Sequence, residues 1–458
     1  MFHKIKRKMK PNSIKSFSIY GLFGTNDVHI PFDENIKILI GENGLGKTQI
    51  LDMLYYTLSM NFIRLNEYAF DKIKVEFEND IIIVNKKKLQ TLLDTGNTNP
   101  FLNSIISFIG LKEVIKLRNE IAQGIISRRD FRQHYLYDKI SKSKFDVDDV
   151  YDFILLNTDK IKTMFDFDKI ISSVTLKRLL QNREILYFPT FRQLKEYFRW
   201  YNLEHYTTIE FEKNEIIEFG MDDVLAKFDN ITKEINKLLK DGMAQLSIDL
   251  LTQIANNFQT VQQENQLVLE NIDLNVLDLM LSRIDDTQFS KKDIREVVVK
   301  QDFNNPIKVY LLKKLMEIYA LQKEIDNSVK IFRDICNKYL INKKVFYDES
   351  AIKIYIKSDL TDGEIKLNQL SSGEKQIISI FSKIYLSEAD KRFIVLFDEP
   401  ELSLSIFWQK NLLPDIVKSD KCDFMLAVTH SPFIFDNELD RYAIGLSEYF
   451  HPLNSLAV

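Results

Sequence analysis

The residues able to do chemistry sit in four short segments far apart along the chain. The first, Gly41-Glu42-Asn43-Gly44-Leu45-Gly46-Lys47-Thr48, has the spacing of a loop that cradles phosphate. Glycines let backbone N–H groups close on an anion, and the lysine and the threonine hydroxyl follow at the start of a helix. Lys47 is then expected at the β- and γ-phosphates of a nucleotide, Thr48 on Mg2+, and Glu42, Asn43, Gly44, Gly46 and Gln49 around the phosphates. The second segment is Leu370-Ser371-Ser372-Gly373-Glu374. Ser371 and Glu374 form a capping-box pattern before a helix, and a helix start is an anion site.

The third segment is the apolar run Phe393–Phe397 ending in Asp398-Glu399. Carboxylates at the carboxyl end of a buried strand suit metal and water chemistry. Asp398 is expected to hold Mg2+, and Glu399 to act as general base on water. The fourth is Thr429-His430-Ser431, one strand further on, where His430 would sense a γ-phosphate. A lid contact between lobes is assigned to Gln193 or its neighbour Arg192, after the run Ile185–Pro189; the plainer reading is a surface helix start after proline.

Strand-like runs at 14–20, 28–32 and 36–40 lead into the glycine loop, and residues 49–60 carry apolar positions at helical spacing. Further strands are expected at 72–77, 81–84, 185–188, 344–347, 352–356, 393–397 and 423–428, with helices at 373–389 and 405–417. Two helical tracts intervene. In the second, Val224, Leu225, Phe228, Ile231, Ile235, Leu238 and Leu239 keep an a/d-like spacing for about two heptads, too short for a long coiled coil. Breaks are expected at 285–288 and 304–306. The fold class that follows is an α/β P-loop NTPase head, split by a largely helical insertion in the form of a hairpin or short arm. Its segments are 1–99 (head, with the phosphate loop), 100–184 (helical insertion), 185–221 (return to the head), 222–342 (helical arm or bundle) and 343–458 (head, with the remaining motifs).

Composition excludes several classes. The net charge is -4, so nucleic-acid affinity would need a local patch; Arg128, Arg129, Arg132 and the arm Lys4–Lys10 are the candidates, against a solvated face. Cys336 and Cys422 offer no disulfide framework and no metal cluster, and read as buried apolar residues in a reducing cytoplasm. No apolar run approaches the ~18 residues of a membrane span, and no apolar stretch follows the basic N-terminus as a secretory signal needs.

Beyond these motifs, YFPTFRQLKE (187–196), EFGMDD (218–223), QLSSGEKQI (369–377), DEPELSLSIFWQ (398–409) and THSPFIF (429–435) resemble the ABC/SMC-like, OLD-related bacterial ATPases. Within these they are most similar to the PtuA-type subunits of Septu-type and retron-associated anti-phage systems. The resemblance implies an ATP-sandwich dimer in which Ser371, Ser372 and Gly373 meet the γ-phosphate bound to the other copy. It also implies ATP and Mg2+ as cofactors, higher homo-oligomers, and an HNH nuclease partner of the PtuB type. This chain departs from the pattern at Ser405, where relatives often carry histidine, and at Ser372, where glycine is commoner. The stretch after Glu399 is too short for the Toprim nuclease domain of OLD proteins, so any cutting is expected from another chain. Rival readings are an SMC-like DNA repair or chromosome ATPase without a nuclease, a transport ATPase, and a scaffold that binds ATP with negligible turnover.

Overall fold

The computed structural model describes residues 14–42, 44–96, 100–109, 111–141, 143, 145–159, 161, 173–180, 183–189, 221–255, 273–284, 291–300 and 305–453. The chain divides into two compact units, Met1–Glu218 with Asp390–Val458, and Phe219–Ala389.

The first unit holds two sheets. One is antiparallel, in the order β13-β2-β1-β4-β5, from β1 (Ile14–Leu22), β2 (Asn26–Pro31), β4 (Lys72–Phe77), β5 (Ile81–Asn85) and β13 (Phe450–Pro452). β4 and β5 alternate, as the buried Ile73, Val75 and Phe77 of β4 show, because one face meets the core, while β1 is buried along most of its length. The other sheet is parallel throughout, in the order β12-β3-β11-β10-β6. It contains β3 (Ile36–Ile40), β6 (Arg183–Phe188), β10 (Arg392–Asp398), β11 (Cys422–Thr429) and β12 (Ala443–Gly445). Residues 393–398 and every residue of β11 are buried, the signature of strands covered on both faces.

The helix Lys47–Leu58 packs between these sheets. Its Ile50, Leu51, Met53 and Leu54 share one core with Phe17, Ile19, Ile73 and Val75 of the first sheet and Ile394, Leu396, Leu426 and Val428 of the second. The helices between 100 and 161 close a smaller core of their own around Leu117, Phe131, Val150 and Ile154.

The second unit contains the long helices Asp222–Ala255 and Pro306–Cys336, the shorter Leu274–Ser282 and Lys291–Val299, and the helix Ser372–Tyr385. Its sheet runs β7 (Lys343–Asp348), β8 (Lys353–Ser358), β9 (Glu364–Ile365). Of the a/d-like set, Val224, Phe228, Ile231 and Ile235 are buried, while Leu225 is 47% exposed. At the second expected break a helix begins: Asn305 accepts from the N–H groups of Ile307 and Lys308, and Pro306 takes the first helical position, while residue 304 lies outside the described residues. The break expected at 285–288 lies outside the described residues. Arg283 pins this unit from within. It donates to Glu349 O (2.8 Å), Gln322 Oε1 (2.7 Å) and Asp326 (2.9 Å), and Tyr347 also donates to Asp326.

The strands read from sequence recur here within a residue or two. Three were missed, β9, β12 and β13, each too short to show a period. Residues 343–389 group with the preceding helices rather than with the carboxylate strand. Cys336 and Cys422 are buried, and they form no disulfide with one another.

Candidate functional site

The glycine loop joins β3 to the helix Lys47–Leu58. Gly44 and Gly46 stand at φ 90° and 76°, a region that side chains rarely adopt. At Gly46 a Cβ would also come within 2.7 Å of the Phe23 ring. Phe23, itself at φ 57° and 42% exposed, was not singled out from sequence, because no spacing ties it to the loop. Gly46 gives the helix no side-chain cap, so the first-turn N–H groups keep their capacity for an anion. Glu42 and Gln49 are exposed; Asn43 lies outside the described residues.

Lys47 folds back over its own loop, donating to Gly41 O (2.8 Å) and Glu42 O (2.9 Å). Burial lowers its pKa, while Glu399, Asp398 and Glu401 pull it up. Its Nζ also lies 2.6 Å from His430 Nε2. An ammonium can only donate, so Nε2 is the acceptor in that contact. The same Nε2 is 3.6 Å from Glu399 Oε1. Glu399 sits at φ 48°, and its N–H donates to Val428 O, which locks the turn after β10 onto β11.

Next to Lys47, Thr48 Oγ1 donates to Asp398 Oδ2 at 2.8 Å. Asp398 is 3% exposed, and its Oδ1 has no hydrogen-bond partner. Burial, with smaller pushes from Asp52 and Glu399, raises its pKa to about 7 against the opposing Thr48 and Lys47. Below it Asp52 accepts from Tyr187 (2.6 Å) and Tyr68 (2.8 Å), yet burial still lifts it to about 6. An orphaned carboxylate oxygen beside a threonine hydroxyl suits Mg2+, which takes one or two protein oxygens and completes its shell with phosphate and water. Among the described residues no group of three or more His, Cys, Asp or Glu forms a closed metal cage, and such a cation needs none.

Two residues that sequence reasoning missed hold the His430 loop. Glu401 Oε1 accepts from the N–H of His430 (2.9 Å) and of Ser431 (3.2 Å). Gln409 accepts from Ser431 Oγ (2.6 Å) and donates to Leu404 O (2.9 Å). Ser405, the departure from the family pattern, caps the helix Ile406–Val417 by accepting from the Trp408 N–H.

In the second unit Ser371 caps the helix Ser372–Tyr385 in the expected reciprocal box. Its Oγ accepts from Glu374 N (3.4 Å), and Glu374 accepts from Ser371 N (2.8 Å). Lys343 binds both Glu374 oxygens, at 2.8 and 2.7 Å. Burial pushes Glu374 up, but Lys343 and Ser371 together bring it below its usual value. Ser371 and Ser372 are exposed, whereas Gly373 is buried. Arg192, Gln193 and the arm Lys4–Lys10 lie outside the described residues. Arg128 is paired with Asp148 (3.5 Å) and Asp152 (3.1 Å), and Arg129 and Arg132 are exposed beside it. Among the described residues no helix is long and apolar enough to cross a membrane.

Among known proteins, the chain is 26% identical over 163 residues to the Retron Ec83 probable ATPase of Escherichia coli, a match covering 29% of this chain and 30% of that protein. The matched stretch is thus under a third of the length of that curated relative. Similar solved structures include the Smc head domain of Pyrococcus furiosus with an extended coiled coil, bound to the C-terminal domain of ScpA (13% identity, 92% of this chain and 90% of that one, TM-score 0.37). An Smc head bound to the C-winged helix domain of ScpA is 12% identical over the same shares, at TM-score 0.34. A family model described as AAA ATPase domain, AAA_15, matches residues 13–435. The match takes in the glycine loop, the capped helix, the carboxylate strand and His430. With a parallel sheet that sets the loop after β3 and the carboxylates after β10, and a helical unit between them in sequence, the chain is an ATP-hydrolysing α/β enzyme and belongs to the AAA ATPase domain family.

Proposed function

We propose that this chain is the ATPase subunit of an anti-phage complex, in which nucleotide-dependent pairing of two heads regulates a separate HNH nuclease. One observation carries the reading of the site. Lys47 and Thr48, adjacent on one helix, meet His430 and Asp398 at the ends of two neighbouring strands. In this reading Lys47 neutralises the β- and γ-phosphates, and Thr48 with Asp398 holds Mg2+, which would screen phosphate charge. Glu399 takes the proton of the attacking water, and His430 responds to the γ-phosphate. Ser371, Ser372 and Gly373 would complete the site of a second copy, a reading supported by the exposure of both serines at a helix start. Arg192 or Gln193 is assigned the lid contact. The retron-associated relative supports the defence role.

The decisive experiment compares wild type with Lys47→Ala. Nucleotide binding and protection against phage should both be lost. Undiminished protection by a variant that no longer binds ATP would sink the proposal. Co-expression with a neighbouring HNH gene should yield one complex; separate elution of the two chains would favour the SMC-like alternative.

A further inference from the structure

The turn between the carboxylates and the next helix is built in an unusual way. Glu399 and Ser403 both take the left-handed region, at φ 48° and 66°. Between them, Glu401 points back toward the strand β11 instead of into solvent. One of its oxygens takes the two consecutive N–H groups of His430 and Ser431. The other is buried with no hydrogen-bond partner. An orphaned carboxylate oxygen is destabilising, and such groups persist where the surroundings hold them for a purpose. Gln409 makes a second tie between the same two segments, from Ser431 Oγ to Leu404 O. The turn after β10 and the loop after β11 therefore form one clamped body.

We propose that Glu401, seconded by Gln409, is a positioning residue that sets His430 against Lys47 and Glu399 through the backbone of residues 430–431. A carboxylate accepting two amides is a strong, directional hold. It fixes the backbone from which the imidazole projects, and so fixes the 2.6 Å and 3.6 Å separations of Nε2 from Lys47 and Glu399. Any movement of the turn reaches His430 without passing through nucleotide. The inference rests on the reading of His430 as part of the hydrolytic site.

The test is ATP turnover by full-length protein for His430→Ala, Glu401→Ala, Glu401→Gln and the double variant Glu401→Ala with His430→Ala. Glu401→Ala should lower kcat by about tenfold or more with KM changed less than about twofold, as displacement of a reacting group does. Glu401→Gln keeps an accepting oxygen and should stay within about threefold of wild type. The double variant should be no slower than His430→Ala alone. A wild-type rate for Glu401→Ala overturns the proposal. So does a Glu401→Gln as slow as the alanine, which would mean charge rather than position, or a double variant slowed by both factors multiplied. If Glu401→Ala does not fold, Gln409→Leu cuts the second tie alone; it should show the same kcat-only loss, and an unchanged rate counts against the clamp. A wild-type rate for His430→Ala would instead refute the reading of the site, whatever Glu401 does.

Discussion

Thr48 donates a hydrogen bond to Asp398 across the carboxyl edge of the parallel sheet, over a gap of 350 positions in sequence. In the proposed reading this pair holds one divalent cation. Each should therefore be needed for metal-dependent turnover and dispensable for folding. Asp398→Asn should lower Mg2+-dependent kcat on the order of 100-fold, since a bound metal supplies several kcal/mol of charge stabilisation. Its unfolding midpoint should not fall, because a buried, half-satisfied carboxylate is replaced by a neutral amide. Steady-state kinetics with calorimetry on one preparation checks both. A variant destabilised in proportion to its lost activity would contradict this.

Asp52 offers a pH test. Its folded pKa of about 6 stands above the ordinary 3.8, so the folded state binds the proton more tightly than the unfolded one. That stabilisation is complete below about pH 4 and is lost as pH rises through about 6, a change of about 3 kcal/mol. Asp52→Asn removes the titration. Relative to wild type, the variant should gain up to about 3 kcal/mol between pH 4 and pH 7 in denaturant melts without nucleotide. A difference that stays constant with pH would assign the burial penalty elsewhere.

Gly46 faces two separate obstacles to a side chain, its φ of 76° and the Phe23 ring. Gly46→Ala should cost about 1–2 kcal/mol from the backbone alone and should weaken nucleotide binding. Adding Phe23→Ala relieves the contact but not the backbone, so recovery should be partial. Full recovery of stability would show that the ring was the whole obstacle.

The Arg283–Asp326 pair is the strongest stability prediction in the helical unit. Both side chains are 1% exposed. Asp326→Ala leaves a buried guanidinium short of its counter-charge and should cost about 3–5 kcal/mol. Replacing Arg283 and Asp326 together with Met and Leu should cost far less. Thermal melts of the single and double variants distinguish an isolated buried charge from a general packing defect.

The sequence was readable where a local rule forces the outcome. The glycine loop, the Ser371–Glu374 box and the apolar runs Phe393–Phe397 and Phe424–Val428 are such cases, each resting on residues within a few positions of one another. The unread features depend on pairing across long separations. Tyr187 reaches Asp52 over 135 positions, and Glu401 turns back to amides 29 and 30 positions away. Nothing in the run Asp398-Glu399-Pro400-Glu401 distinguishes a second acidic residue bound for solvent from one bound for a neighbouring backbone. β12 and β13 belong to their sheets through their partners and not through any pattern of their own.

The order of the parallel sheet carries a consequence for biosynthesis. β3, which leads into the phosphate loop, lies between β11 and β12, both made about 400 residues after it. The glycine loop emerges early from the ribosome but has no neighbouring strands until residues 422–445 follow it. Contacts so distant in sequence form slowly. The helical unit at 219–389 emerges in between and can close its own core first. A nascent chain stalled before residue 422 would then hold a closed helical core and an unassembled catalytic sheet, so ATPase competence would have to wait until residues 422–445 are made.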